Sequence, residues 1–322
     1  MRKILKNAVC GLLFIAILAS LFLAASAAFK PDKTANVNAL EDPLANGMLT
    51  ERKNSIDVIF LGDSEVYSTF IPLKIWDEHG IASYVCGSSD QVLSFSYELA
   101  VKSFKMQKPK IVVLETNNIF RDVTSANVFI NKAEALFSVF KYHDRWKDIQ
   151  PKSWQMTGNK TYDRKSKGFL FNTSVNPADV DGYMSRTDEK ETIKEENKHY
   201  LKSINNYCRK NGAKFMLVSV PSTKNWNYRK HNAVTEISNE LGIEYVDMNT
   251  IDALCIDWKR DTRDGGDHLN YFGASKATDW FGKYLAGMAP TQNIKDKRNN
   301  AEYTEWNKNA TEFKRKVNKD LV

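Results

Sequence analysis

Apolar residues fall into blocks along the chain, separated by polar stretches and often closed by Gly or Pro. The first block, 8–29, is 22 residues without a charge, rich in Leu, Ile, Ala and Phe. As a helix rising about 1.5 Å per residue it would extend roughly 33 Å, the thickness of a bilayer core. Later blocks are short. Residues 56–61 form an apolar run ending at Gly62 and read as a buried strand. Residues 82–86 before Gly87, 110–115 after Pro109, 213–220 before Pro221, and 243–248 read the same way. Between them, helical periodicity predicts helices over 71–79, 91–106, 192–209, 231–241 and 271–285, with Gly80 and Gly242 placed as caps. A further helix is expected over 130–147, with Phe137, Phe140 and Trp146 on one face. Strands that are apolar throughout and alternate with helices predict an α/β fold, a five-stranded parallel sheet covered by helices on both faces. The organisation expected is an N-terminal transmembrane helix or signal segment over 1–29, a linker over 30–54, one domain over 55–288 with an insertion at about 148–190, and a tail over 289–322.

Charge adds topology to this outline. Arg2, Lys3 and Lys6 precede the first apolar block, which places the N-terminus in the cytoplasm and the body of the chain outside a plasma membrane. Ala25-Ser26-Ala27 fits a cleavage site, and cleavage would leave a secreted protein. The apolar run exceeds the usual signal core of about 7–15 residues, which favours an uncleaved single-pass anchor. The chain has 46 Lys+Arg and 39 Asp+Glu, a formal +7. Three of those charges belong to residues 1–29 and three more to the residues from 291 onward, so the long middle is nearly balanced. A basic stripe with stacking aromatics is absent, which excludes a nucleic-acid partner. The 42% hydrophobic content and 11% aromatics exclude disorder, and four cysteines exclude a disulfide-dense scaffold. Cys86 and Cys208 fall in or beside core elements and read as buried thiols.

In open parallel sheets ligands bind beyond the carboxyl ends of the strands. Gly62-Asp63-Ser64-Glu65 stands there after the first strand, with Ser64 either a presented nucleophile or an ordinary helix cap. Gly87-Ser88-Ser89 follows the second strand, and Glu115-Thr116-Asn117-Asn118 the third. Gly87 would let backbone approach a ligand, and the Asn117 amide could donate to an oxyanion or cap its own turn. Far downstream, Asp264-Gly265-Gly266-Asp267-His268-Leu269-Asn270 offers a histidine with acidic neighbours, the general base and orienter a serine needs. The histidines at 79, 143, 199, 231 and 268 show no ligand spacing, and no phosphate-binding glycine motif occurs, so neither metal nor cofactor is expected.

With those residues set out, the chain resembles the SGNH, or GDSL, hydrolase family over about residues 55–288. The resemblance implies a flavodoxin-like SGNH fold. It implies Ser64 as nucleophile, His268 as base, and an oxyanion hole from the Ser64 and Gly87 N–H groups and the Asn117 side chain. The run DGGDHLNYFGA is similar to the D-x-x-H-L-N ending of extracytoplasmic members. Four positions depart from the pattern. Gly265 occupies the family's aspartate position, so Asp264 or Asp267 completes the triad; Glu115 and Asn118 alter the third block; and Glu65 follows the nucleophile. The resemblance implies a serine esterase or O-acyltransferase acting on an acylated envelope polysaccharide or teichoic-acid-like polymer, beside a multi-spanning membrane acyltransferase. The acidic departures leave open an inert scaffold that binds glycan or recruits that partner. Trp154, Tyr162, Phe169 and Phe171 in the insertion are candidates to stack on sugars or to pack locally. Lys160, Arg164, Lys165 and Lys167 are candidates for an anionic polymer or a solvated basic surface. Trp306 and Phe313, seven residues apart, permit a short amphipathic helix that docks on the domain or lies on anionic lipid.

Overall fold

The computed structural model describes residues 2–29, 43–122, 137, 139 and 164–320. The chain divides into two units, 1–40 with 124–161 and 41–123 with 162–322. In the first unit α1 (Arg2–Phe29) is one helix, long and apolar enough to cross a membrane, with Leu12, Leu13, Phe14 and Ile15 all exposed. The helix expected over 130–147 lies almost wholly outside the described residues; the Phe137 ring stands 5.4 Å from that of Phe22.

The second unit is built on five parallel strands: β1 (Val58–Gly62), β2 (Ser83–Gly87), β3 (Ile111–Glu115), β4 (Lys214–Ser219) and β5 (Glu244–Asp247). Their order is β2-β1-β3-β4-β5, the flavodoxin-like winding. Alternation along each strand sorts the core into two halves. Ile59, Leu61, Val112, Leu114 and Leu217 face α4 (Leu93–Met106), α5 (Glu195–Lys210) and α6 (Tyr228–Leu241). Val58, Phe60, Val113, Met216 and Val218 face α2 (Ser64–Thr69), α3 (Pro72–His79) and α7 (Tyr271–Met288). Gly80 closes α3 and Gly242 closes α6, both left-handed as a C-cap requires. Cys86 and Cys208 are buried free thiols, both raised by burial, Cys208 to about 12.

Two segments differ from expectation, and for the tail one of two expected placements is found. The helix α2 is too short for periodicity to reveal; it forms because Asp63 caps it, its carboxylate accepting the Glu65 N–H at 3.0 Å. Part of the expected linker belongs to the core: 43–50 form helical turns, and Ala45 and Met48 are fully buried. The tail is α8 (Thr304–Asp320), docked on α3 through Trp306 and Ala310 against Leu73 and Trp76. Its apolar face is thus satisfied within the domain rather than by lipid.

The described part of the insertion packs inward as well. Phe169 is buried against Ile71 and Ala274, and Phe171 sits among Tyr271 and Phe313, so neither offers a free stacking face. Trp154, Tyr162 and Lys160 lie outside the described residues. Lys165 is exposed and pairs with Glu312. Lys167 is not on a basic surface: it is 1% exposed. Its backbone carbonyl accepts the Val85 N–H at 3.0 Å, covering the edge of β2. Its ammonium lies 2.8 and 3.0 Å from the two carboxylate oxygens of Glu51 and 4.5 Å from the Trp306 ring centre. One cation therefore ties the 43–51 turns, the sheet edge and α8 together. Lys167→Met strands the Glu51 carboxylate without its partner and is expected to cost about 3 kcal/mol, read by urea unfolding. A loss under about 1 kcal/mol would place this pair with ordinary surface contacts.

Candidate active site

The chain leaves β1 and β3 on opposite sides of the sheet, and the crevice between their carboxyl ends is the binding place this winding creates. Ser64 and Asn117 occupy it. Ser64 is the first residue of α2, directly after β1, and Asn117 opens the turn after β3. The loop before α7 brings His268 across 204 residues of chain, its Nε2 at 2.7 Å from Ser64 Oγ. Its Nδ1 is 2.7 Å from Asp264 Oδ2, and its backbone N–H donates to Asp264 Oδ1 at 2.7 Å. Asp267 is farther, 3.7 Å from Nδ1. Ser64, His268 and Asp264 form one hydrogen-bonded relay.

Two glycines explain why Asp264, four positions before the histidine, is the one that reaches. Gly265 and Gly266 have φ of +74° and +89°, a left-handed pair that glycine adopts without strain and that bends the chain between Asp264 and His268. A side chain at Gly266 would collide with Thr223 Oγ1, so the loop seats directly on the turn after β4. There Gly266 O accepts the Thr223 N–H at 2.9 Å, and Ser222 Oγ donates to Asp267 O at 2.8 Å. Partial burial pushes the Asp264 carboxyl up, but hydrogen bonds from the His268 N–H and ring, with Arg263 nearby, outweigh it and hold the group below the usual carboxylate range. An ionised Asp264 only accepts, so Nδ1 carries the proton and Nε2 presents its lone pair to the Ser64 hydroxyl.

The other expected site residues stand around this relay. Gly87 ends β2 beside Gly62. A Cβ on Gly87 would lie 2.7 Å from Val66 Cγ1 and 3.1 Å from Asp63 O, so only glycine lets the strand end meet the first turn of α2. Asn117 is buried, its Nδ2 donating to Asp63 Oδ2 at 3.1 Å and its Oδ1 accepting from Lys230 Nζ at 3.2 Å. Asp63 is fully buried and also receives Arg121 Nε and Nη2, at 2.8 and 2.6 Å.

Glu65 and Glu115 are both 1% exposed. Burial first, then the nearby Asp63 and each other's vicinity, raise Glu65 well above the ordinary glutamate range; burial and Asp63 do the same to Glu115. Glu65 Oε1 accepts from Asn225 Nδ2 at 2.6 Å, while Oε2 has no partner among the described residues, an arrangement cheaper for a neutral acid than for an ion. Both Glu115 oxygens accept the Asn117 N–H at 3.0 Å. Burial and the Asp63 carboxylate thus shift both carboxyl groups, which the sequence sets against an anionic transition state, toward the neutral acid. Folded pKa values raised above unfolded ones give stability that is complete below the ordinary glutamate range and lost as pH rises through the folded values. Glu115→Gln removes that loss. The variant should melt above the wild type at pH 8, with the difference shrinking toward pH 5; a pH-independent difference in thermal melts would contradict this.

Asn225, Lys230 and Arg121 belong to the site without having been singled out by sequence. The strand-end rule points to the stretch after β4 that holds Asn225 and Lys230, but one polar residue there looks like another. Arg121 lies four residues past Asn117, close enough for the same rule to reach it. Glu65, Asp267 and His268 also bring three possible ligand atoms within 4.8 Å of one another. Both ring nitrogens of His268 are already engaged, by Asp264 and Ser64, so the cluster serves the relay.

No family model matches the chain, and no curated protein matches it. Among solved structures it is similar to the psychrotrophic esterase EstA of Pseudoalteromonas sp., at 10% identity and TM-score 0.39 over 73% of this chain and 98% of that one. It is similar to a lipase/acylhydrolase of Enterococcus faecalis at 11% identity and TM-score 0.35, over 72% and 96% of the two chains. A GDSL-like lipase of Bacteroides thetaiotaomicron gives 13% identity and TM-score 0.35, over 79% and 94%. At these scores the likeness adds nothing to what the chain's own side chains display.

Proposed function

We propose that this chain is an SGNH-type serine esterase or O-acyltransferase. The observation that carries the reading is the Ser64–His268–Asp264 relay at the carboxyl end of β1, in the crevice where this winding binds ligands. Ser64 Oγ attacks an ester carbonyl while its proton passes to His268 Nε2. Asp264 holds the ring in the receptive tautomer and stabilises the imidazolium. The oxyanion is received by the N–H groups of Ser64 and Gly87 and by Asn117 Nδ2, each such donor typically worth about 3–4 kcal/mol in the transition state. His268 then returns the proton to the leaving alkoxide. Water resolving the acyl-serine gives hydrolysis; a sugar hydroxyl gives transfer.

Location sets the substrate class in this reading. An apolar α1 behind three basic residues anchors the chain in a plasma membrane with the site outside. A tethered ester-cleaving site meets acylated envelope polysaccharide or teichoic-acid-like polymer, and a multi-spanning acyltransferase is a suitable donor of acyl groups. The test uses the full chain in detergent, with a fluorophosphonate probe and an O-acetylated polysaccharide. Covalent labelling of Ser64 and release of acetate support the reading. A folded protein that is neither labelled nor active on small aryl acetates overturns it in favour of a binding scaffold.

A further inference from the structure

Lys230 is in an unfavourable position by itself. It is the third residue of α6, where the helix macrodipole disfavours a cation, and it is more than half buried. No carboxylate lies within ion-pair distance of its ammonium among the described residues. Its two hydrogen bonds go to amide oxygens instead: Asn225 O at 2.7 Å and Asn117 Oδ1 at 3.2 Å. The Phe120 ring centre lies 5.1 Å away on a third side.

Each of those amides belongs to one half of the site. An ammonium on Asn117 Oδ1 fixes which way that amide points. Oδ1 must face the cation, so Nδ2 faces Asp63 and the nucleophile turn. The same contact polarises the amide and strengthens Nδ2–H as a donor. Asn225, tied through its backbone, spends both amide hydrogens at the base end, on Glu65 Oε1 and Asp267 Oδ1. Asp267 in turn adjoins His268.

We infer that Lys230 is a positioning residue of the esterase site, holding Asn117 in its oxyanion-donating orientation and, through Asn225, bracing the loop that carries His268. This rests on the function proposed above. It also predicts an alkaline limit. The groups facing the ammonium are Glu115 at the end of β3, Glu65 on α2, Glu191 before α5, and Arg121 after β3. Burial lowers the Lys230 pKa; the glutamates oppose this and Arg121 adds to it, and the result lies below the ordinary lysine value. Lys230 is charged below that pKa and neutral above it, so activity should fall as pH rises through a value under the usual lysine range.

The test compares the full-length wild type with Lys230→Met and Lys230→Arg, using a small aryl ester and the rate of fluorophosphonate labelling. Loss of one oxyanion donor typically costs about 10²–10³-fold in kcat, so Lys230→Met, which only misorients the donor, should lose about 30-fold or more with KM little changed. Lys230→Arg should regain most of the rate and carry its alkaline limb to higher pH, because a guanidinium stays charged. Unchanged kcat in Lys230→Met, or equal losses in both variants with the limb unmoved, overturns the inference. Should Lys230→Met fail to give a cooperative melt, the limb of Lys230→Arg decides alone. A wild type whose Ser64 reacts, with Lys230 immaterial, defeats this inference only; a wild type that never reacts defeats the function and this inference with it.

Discussion

Ser64→Ala should eliminate fluorophosphonate labelling and lower ester hydrolysis by about 10⁴-fold or more, leaving a residual rate from the remaining oxyanion donors and binding alone. Among the described residues, the Ser64 hydroxyl is the nucleophile candidate in contact with the base, its Oγ 2.7 Å from His268 Nε2. Alanine fits the site without strain. Ser64 is the first residue of α2, its side chain caps nothing, and the capping bond comes from Asp63. Thermal stability should therefore stay near the wild type while activity collapses. His268→Ala should fall by a similar factor, and the double variant little further, because the two act as one unit. Equal rates for wild type and Ser64→Ala on aryl acetates would place any hydrolysis elsewhere in the protein.

The second large effect separates two aspartates that sequence leaves as alternatives. Asp264→Asn should reduce kcat by about 10³–10⁴-fold, and Asp267→Asn by less than about 10-fold. The reason is tautomer control. Asp264 accepts two hydrogen bonds from His268, from the backbone N–H and from Nδ1. An asparagine satisfies the backbone N–H with its oxygen, which turns its NH₂ toward Nδ1. Nδ1 must then accept, the ring proton moves to Nε2, and Ser64 faces a donor instead of a base. Asp267 stands 3.7 Å from Nδ1 and is bonded to Asn225, so its loss changes support rather than proton position. Matched kinetics of the two variants, with Ser64 labelling followed in each, give the comparison; a larger loss in Asp267→Asn would reverse the assignment.

Much of the fold is legible because it depends on local pattern. Apolar runs such as 56–61 and 110–115 admit only a strand buried on both faces, and the glycine or proline beside each marks its end. The expected ranges accordingly overlap all five observed strands, differing by one or two residues at the ends. The segments that escape pattern are those whose burial is supplied by distant chain. Met48 is buried by contact with Tyr84 and its neighbours, and Lys167 by Glu51, so a polar or short stretch gives no periodic signal of its own. The tail shows the same limit: Trp306 and Phe313 display an apolar face, but its acceptor on α3 lies some 230 positions earlier.

At the site, the sequence by itself determined the candidate residue types: Ser64, Gly87 and Asn117 follow from where the strands stop, and His268 from its acidic neighbours in the loop before the last helix. Tertiary structure alone decided which aspartate pairs with the base, because that turns on the left-handed backbone of Gly265 and Gly266 rather than on spacing. It alone decided that Glu65 and Glu115 titrate above the ordinary glutamate range, because that shift depends on burial and on the Asp63 carboxylate beside them. And it alone brought Lys230 to Asn117, 113 residues away. Hydrophobic pattern is a property of neighbours in sequence; protonation, tautomer and amide orientation are properties of neighbours in space.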